Sequence, residues 1–148
     1  MKTLYVNRPV LNGDEIRKWA LEQGFSKTLE PREMHVTIAF SKKELNWGSL
    51  VSNNKKLTVN GGERELKPLG NEGAIVLKFE SDVLHNEWKY FIDNGASWDW
   101  PEYQAHITIT YSGHPNIKSV IPYQGPIVLG GQEFKEVNLN WNKEIKEV

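Results

Sequence analysis

Two heptapeptides decide the reading of this chain: Met34-His35-Val36-Thr37-Ile38-Ala39-Phe40 and Ala105-His106-Ile107-Thr108-Ile109-Thr110-Tyr111. Both are rich in β-branched residues and alternate in character, which is the pattern of a strand with one apolar face. In a strand, residues i and i+2 share a face. His35, Thr37 and Ala39 are therefore expected on one side, with Val36, Ile38 and Phe40 turned to a core. The second strand divides in the same way, with His106, Thr108 and Thr110 opposite Ile107, Ile109 and Tyr111. Each strand presents an imidazole beside a hydroxyl.

Working outward, the segments around the two strands match. Asn12 is placed as an N-cap, with Glu15 three residues on as in a capping box. Ile16, Trp19 and Ala20 form an apolar stripe, and a helix is expected over Gly13–Gln23 with Gly24 beyond its C-terminus. In the second half Ser81 or Asp82 caps a helix whose stripe is Leu84, Trp88, Phe91 and Ile92, followed by Gly95. Gly24 precedes His35 by eleven residues, and Gly95 precedes His106 by eleven. Both intervening loops carry a proline, Pro31 or Pro101. Helix, glycine, proline-containing loop and His-x-Thr strand thus occur twice, and such a repeat fixes the architecture. Further strands are expected at Leu4–Val6, broken by Arg8-Pro9, then at Leu57–Val59, Ala74–Phe79, Ile127–Leu129 and Phe134–Leu139. The fold expected is α+β. Two lobes are related by a pseudo-two-fold axis, with antiparallel or mixed sheets lining a central cleft and helices outside. One domain over 1–148 is expected, its repeats running roughly 1–70 and 71–148.

Composition narrows the chemistry. The chain has 148 residues, a net charge of −1 and no cysteine. Thiol catalysis, disulfides and cysteine-ligated zinc are excluded. A near-neutral balance argues against coating long nucleic acid, which rests on many phosphate contacts. No apolar run suggests a membrane span, and the N-terminal residues do not read as a secretory signal, so a cytoplasmic protein is expected. Six tryptophans are many for this length. Trp19 and Trp88 are placed in the core by their helix positions, while Trp98 and Trp100 could pack or face solvent. His85 and His114 read as surface residues.

Histidine can give or take a proton near neutral pH. Phosphodiester cleavage needs both acts, one on the attacking hydroxyl and one on the leaving oxygen. Two histidines on facing strands supply them without a metal, and the threonine hydroxyls can donate to nonbridging oxygens as charge builds there. A metal site would need a third ligand, and no acid shares the histidine face of either strand. No metal and no cofactor are expected. His35, Thr37, His106 and Thr108 are the candidate catalytic residues.

These two His-x-Thr motifs, each after a Gly-capped helix and loop, resemble the 2H (two-histidine) phosphoesterase superfamily, which includes bacterial RNA ligase/cyclic phosphodiesterases. Residues Leu4–Asn12, Trp19-Ala20 with Gly24-Phe25, Gln104–Ile109 and Gly130–Val137 are similar to the phage anti-CBASS family. The resemblance implies a phosphodiesterase that opens cyclic oligonucleotide messengers, such as cyclic GMP-AMP, and so blocks bacterial CBASS immunity in the host cytoplasm. It implies no long nucleic acid, membrane or obligate protein partner. It also implies that Tyr5, a carboxylate and a tryptophan near the C-terminus contact the nucleotide. Glu136 is preferred over Glu133 for the carboxylate, and Trp141 is the tryptophan. Read only as residues, Tyr5 could be core, Glu136 a solvated strand residue and Trp141 a packing cap. Two rival functions stand beside this one: RNA-end or 2′,3′-cyclic phosphodiesterase activity within the same superfamily, and a sponge that binds a cyclic nucleotide uncleaved.

Overall fold

The computed structural model describes residues 1–70, 73–139 and 147–148. In chain order the elements are β1 (Lys2–Pro9), α1 (Gly13–Glu22), β2 (His35–Leu45), β3 (Leu57–Val59), β4 (Arg64–Leu69), β5 (Ala74–Phe79), α2 (Asp82–Asp93), β6 (His106–Thr110), β7 (Ile127–Leu129) and β8 (Glu133–Lys135). Two three-stranded antiparallel sheets, β2-β1-β8 and β4-β5-β6, are joined by a two-stranded β3-β7 pair. The sequence of strand, helix and His-x-Thr strand in β1-α1-β2 is repeated in β5-α2-β6. One spacing of 71 residues separates Gly24 from Gly95, His35 from His106 and Thr37 from Thr108. Each half lends its third strand to the other: β4 completes the sheet of β5 and β6, and β8 completes that of β1 and β2. The edge strands β2 and β6 approach one another, so the two motifs meet.

Both helices end as their glycines require. Gly24 and Gly95 have φ of +99° and +101°, a region that costs a residue with Cβ dearly. Ser81 caps α2, accepting from the Leu84 N–H at 3.2 Å. Asn12 occupies the N-cap of α1 without capping it, so no capping box forms. Its amide instead ties two segments together, donating to the Pro126 carbonyl at 2.7 Å and accepting from the Val128 N–H at 3.0 Å.

Strand β1 runs through Arg8-Pro9 rather than stopping there. Strand β8 pairs only with Tyr5–Asn7, so the far side of Pro9 needs no ladder donor. The Pro9 carbonyl still accepts from Gly130 N at 2.8 Å. Arg8 points into the interior and is 1% exposed. Its guanidinium makes a two-pronged pair with Glu87 of α2 (3.0 and 2.7 Å) and donates to the Lys55 and Gly130 carbonyls, both at 2.8 Å. Around it the core is apolar: Leu4, Val6, Val36, Ile38, Leu77, Ile107 and Ile109 are all buried.

The expected alternation fails at equivalent places in the two halves. Thr37 pairs with Asn7, but the next pair is Ala39 with Val6, leaving Ile38 as an extra residue. Thr108 pairs with Val76, and the next pair is Thr110 with Ile75, leaving Ile109 extra. A β-bulge therefore follows each His-x-Thr. Ala39 and Thr110, expected beside the histidines, turn inward and are buried. Phe40, expected in the core, lies opposite Tyr5 on the histidine face. The Thr110 hydroxyl instead donates to Glu147 at 3.0 Å.

Candidate active site

Residues opposed across an antiparallel ladder share a face. In the first sheet one face carries His35 opposite Pro9, the row Thr37–Asn7–Glu133, and the row Phe40–Tyr5–Lys135. In the second sheet the corresponding rows are His106–Lys78–Glu65 and Thr108–Val76–Lys67. The motif residues are half-buried, with Val36 and Ile107 anchoring the opposite face in the core.

The two imidazoles are held alike. Nδ1 of His35 lies 2.7 Å from the Glu33 carbonyl, and Nδ1 of His106 lies 2.8 Å from the Gln104 carbonyl. A carbonyl can only accept, so each Nδ1 carries a proton. In the neutral ring this leaves the Nε2 lone pair free. Burial lowers the pKa of both histidines. For His35 the Glu33 carbonyl opposes that shift, Lys135 adds to it, and Glu33 and Glu133 oppose it. For His106 the Gln104 carbonyl opposes it, while His35 and Lys67 add to it. The effect of His35 on His106 places the two rings in one electrostatic site. Both begin neutral at pH 7 and ready to accept a proton, and an incoming phosphate would favour charging one of them.

Tyr5 joins this site. Its hydroxyl is 3.3 Å from Thr37 Oγ1, and its ring meets that of His35 edge-on at 6.3 Å. Burial, partly offset by the Thr37 hydrogen bond and reinforced by Glu133, pushes its pKa up to about 12. It therefore keeps its proton and can donate. Both glutamates named for the carboxylate are exposed; Glu133 stands in register with Asn7 and Thr37, and Glu136 lies one residue beyond β8. Trp141 lies outside the described residues.

Three residues of the site were not anticipated. Tyr103, three before His106, donates from its hydroxyl to the Thr37 carbonyl at 2.7 Å, joining the two motifs beside the first bulge. Lys67 extends the row of Thr108. Phe40 continues the ring contacts outward from Tyr5 to Trp100, at 5.9 and 6.0 Å. No sequence signal pointed to Lys67, because the pairing of β4 with β5, like that of β8 with β1, is set by the fold. Trp19 packs half-buried against the core, and Trp88 is half-buried between Tyr103, Trp98 and the exposed His85. Trp98 belongs to that cluster, while Trp100 is 52% exposed. Among the described residues no three of His, Asp or Glu converge as metal ligands would, and no helix is long and apolar enough to cross a membrane.

The arrangement is a two-lobed α+β fold with paired His-x-Thr strands at the junction, the fold of the 2H phosphoesterases. A solved phosphoesterase shares it with a TM-score of 0.58 at 12% identity, over 100% of this chain and 95% of the other. E. coli LigT complexed with 3′-AMP shares it with a TM-score of 0.51 at 12% identity, over 93% and 95%. Within that class, the chain belongs to the family of anti-CBASS protein Acb1, whose model matches residues 2–144. Relatives of that description include one from Caulobacter sp. (strain RHG1), 44% identical over 99% of this chain and 24% of the relative. Another, from Sphingomonas paeninsulae, is 39% identical over 95% and 24%. The chain thus spans about a quarter of the length of these two curated relatives. One from Salmonella phage S16 is 30% identical over 90% of this chain and 86% of the relative.

Proposed function

We propose that this chain is a metal-independent phosphodiesterase that opens 3′–5′ bonds of cyclic oligonucleotide messengers, such as cyclic GMP-AMP, and thereby counters CBASS immunity. The observation that carries the reading is the matched pair of imidazoles. Each has Nδ1 tied to the carbonyl two residues back and a threonine hydroxyl on the same face. A sponge has no use for two groups poised for proton transfer. Family membership supplies the anti-CBASS role.

In this mechanism the scissile phosphate lies between the two Nε2 atoms. One histidine takes the proton of the ribose 2′-hydroxyl, whose oxygen attacks the adjacent phosphorus. The other histidine, charged as the phosphate approaches, gives its proton to the departing 5′-oxygen. The P–O5′ bond breaks as the 2′-O–P bond forms, and the ring opens to a linear product ending in a 2′,3′-cyclic phosphate. Water can then open that phosphate with the histidine roles reversed. The Thr37 and Thr108 hydroxyls donate to the nonbridging oxygens, where negative charge accumulates. Tyr5 and Glu133 meet the nucleoside on the first-sheet side. Glu133 takes the carboxylate role there because it, rather than Glu136, stands in the row of Thr37.

The test is a cleavage assay in EDTA with three substrates: cyclic GMP-AMP, its 2′-deoxy analogue and a 2′,3′-cyclic mononucleotide. Opening of the first with the second resistant supports the reading. Cleavage of the mononucleotide alone moves the function to RNA-end processing. Cleavage of the deoxy analogue at the normal rate makes water, not the 2′-hydroxyl, the nucleophile.

A further inference from the structure

The two halves are not equivalent at the third strand. The row through the first motif is Thr37–Asn7–Glu133, and the row through the second is Thr108–Val76–Lys67. Where one lobe ends in a carboxylate, the other ends in an ammonium. Two strand spacings, about 10 Å, separate the Lys67 and Thr108 backbones, and a lysine stem spans much of that. Lys67 is half-buried on this face. Its ammonium donates to Gln104 Oε1 at 3.2 Å, and the Gln104 backbone carbonyl is the acceptor that holds His106. Gln104 uses its other end to donate to Glu102 at 3.3 Å, so the amide stands between the ammonium and that acid. Among the described residues Lys67 has no carboxylate within 4.0 Å, unlike Lys42 and Lys135. Among the described residues this half-buried cation meets a neutral amide and no counter-ion, and partly desolvated charges are ordinarily paired.

We propose that Lys67 is a substrate-contacting residue whose ammonium takes a nonbridging oxygen of the phosphate at the His106–Thr108 end of the cleft. The substrate supplies the missing anion, and Gln104 holds the ammonium until it arrives. This rests on the phosphodiesterase reading above and gives the site a direction: phosphate toward Lys67, nucleoside toward Tyr5 and Glu133. The ammonium also acts on His106, whose pKa it lowers together with burial and His35. The other charged groups in the row of His106 are Lys78 and Glu65, and Glu102 on the preceding loop is held by the Gln104 amide.

The experiment compares wild type with Lys67→Gln, Lys67→Arg and, as a surface-charge control, Lys18→Gln. It measures kcat/KM on cyclic GMP-AMP against pH, and calorimetric binding of the uncleaved 2′-deoxy analogue. A charge-assisted hydrogen bond to phosphate implies about a 10- to 100-fold loss of kcat/KM in Lys67→Gln. The limb of the pH profile that reports His106 should move to higher pH, the analogue should bind at least tenfold more weakly, and Lys67→Arg should recover most of these changes. Lys67→Gln within twofold of wild type in turnover and binding, with neither limb moved, overturns the assignment while leaving the enzyme intact. Lys67-dependent binding without wild-type turnover upholds the contact and removes the enzymatic reading. A wild type that neither turns over nor binds the analogue removes both.

Discussion

Glu87→Ala should destabilise the protein far more than breaking any surface ion pair. The guanidinium of Arg8 is 1% exposed, and its partner Glu87 is 10% exposed. Removing Glu87 leaves a buried cation with two carbonyl acceptors and no anion, a loss of about 3–5 kcal/mol. Near this chain length 1 kcal/mol shifts Tm by about 3 °C, so the expected fall is about 10–15 °C. Asp99→Ala breaks a pair whose side chains are 56% and 36% exposed, which is worth at most about 1 kcal/mol. Differential scanning calorimetry at pH 7.5 in moderate salt measures both. The double variant Arg8→Met/Glu87→Leu removes the cation together with its partner, and should recover most of the loss. A Glu87→Ala Tm within 2 °C of wild type would show that Glu87 does not neutralise a buried Arg8. So would a double variant as unstable as the single, because the penalty would then not come from a stranded charge.

Two further outcomes follow from the site. Both histidines have folded pKa values below the unfolded value of about 6.5. The unfolded chain therefore binds more protons on acidification. Stability should be complete above pH 6.5 and fall below it, by up to about 1.4 kcal/mol per pH unit per histidine. Melting curves from pH 8 to 5 should show this drop, and His35→Gln/His106→Gln should flatten it; an equally steep drop in the double variant contradicts the assignment. Tyr103→Phe removes the donor to the Thr37 carbonyl, and should lower kcat about tenfold with KM nearly unchanged. The cost in Tm should be only about 3 °C, from a bond worth about 1 kcal/mol; unchanged kcat would show that Tyr103 does not position the first motif.

The features legible in the sequence were those with local periodicity or a side chain of special chemistry. The two His-x-Thr strands, the helices with Gly24 and Gly95 behind them, and the repeat all depend on spacing along the chain. What could not be read depends on partners. The bulges at Ile38 and Ile109 move Ala39, Phe40 and Thr110 to faces that strict alternation does not allow, and only the pairing with β1 and β5 reveals them. Strand β4, Arg-Glu-Leu-Lys-Pro-Leu, has little apolar pattern and a proline, which an edge strand tolerates. With β4 unseen, Lys67 had no place beside Thr108. Strand β8 is three residues long, and its register, which sets Glu133 opposite Asn7, is fixed by Tyr5–Asn7 across the ladder. Asn12 looked like a cap because its residue type favours one, but the segment at Pro126 and Val128 competes for its amide.

In the proposed mechanism His35 and His106 work as one acid–base pair. Turnover of cyclic GMP-AMP in EDTA by wild type, His35→Ala, His106→Ala and the double variant tests it most directly. Wild type should show multiple turnovers, each single variant a loss of about 10²–10⁴ or more, and the double variant should be little worse than either single, as expected of groups that act as a unit. A single variant that retains wild-type turnover, or losses that multiply in the double, would contradict it.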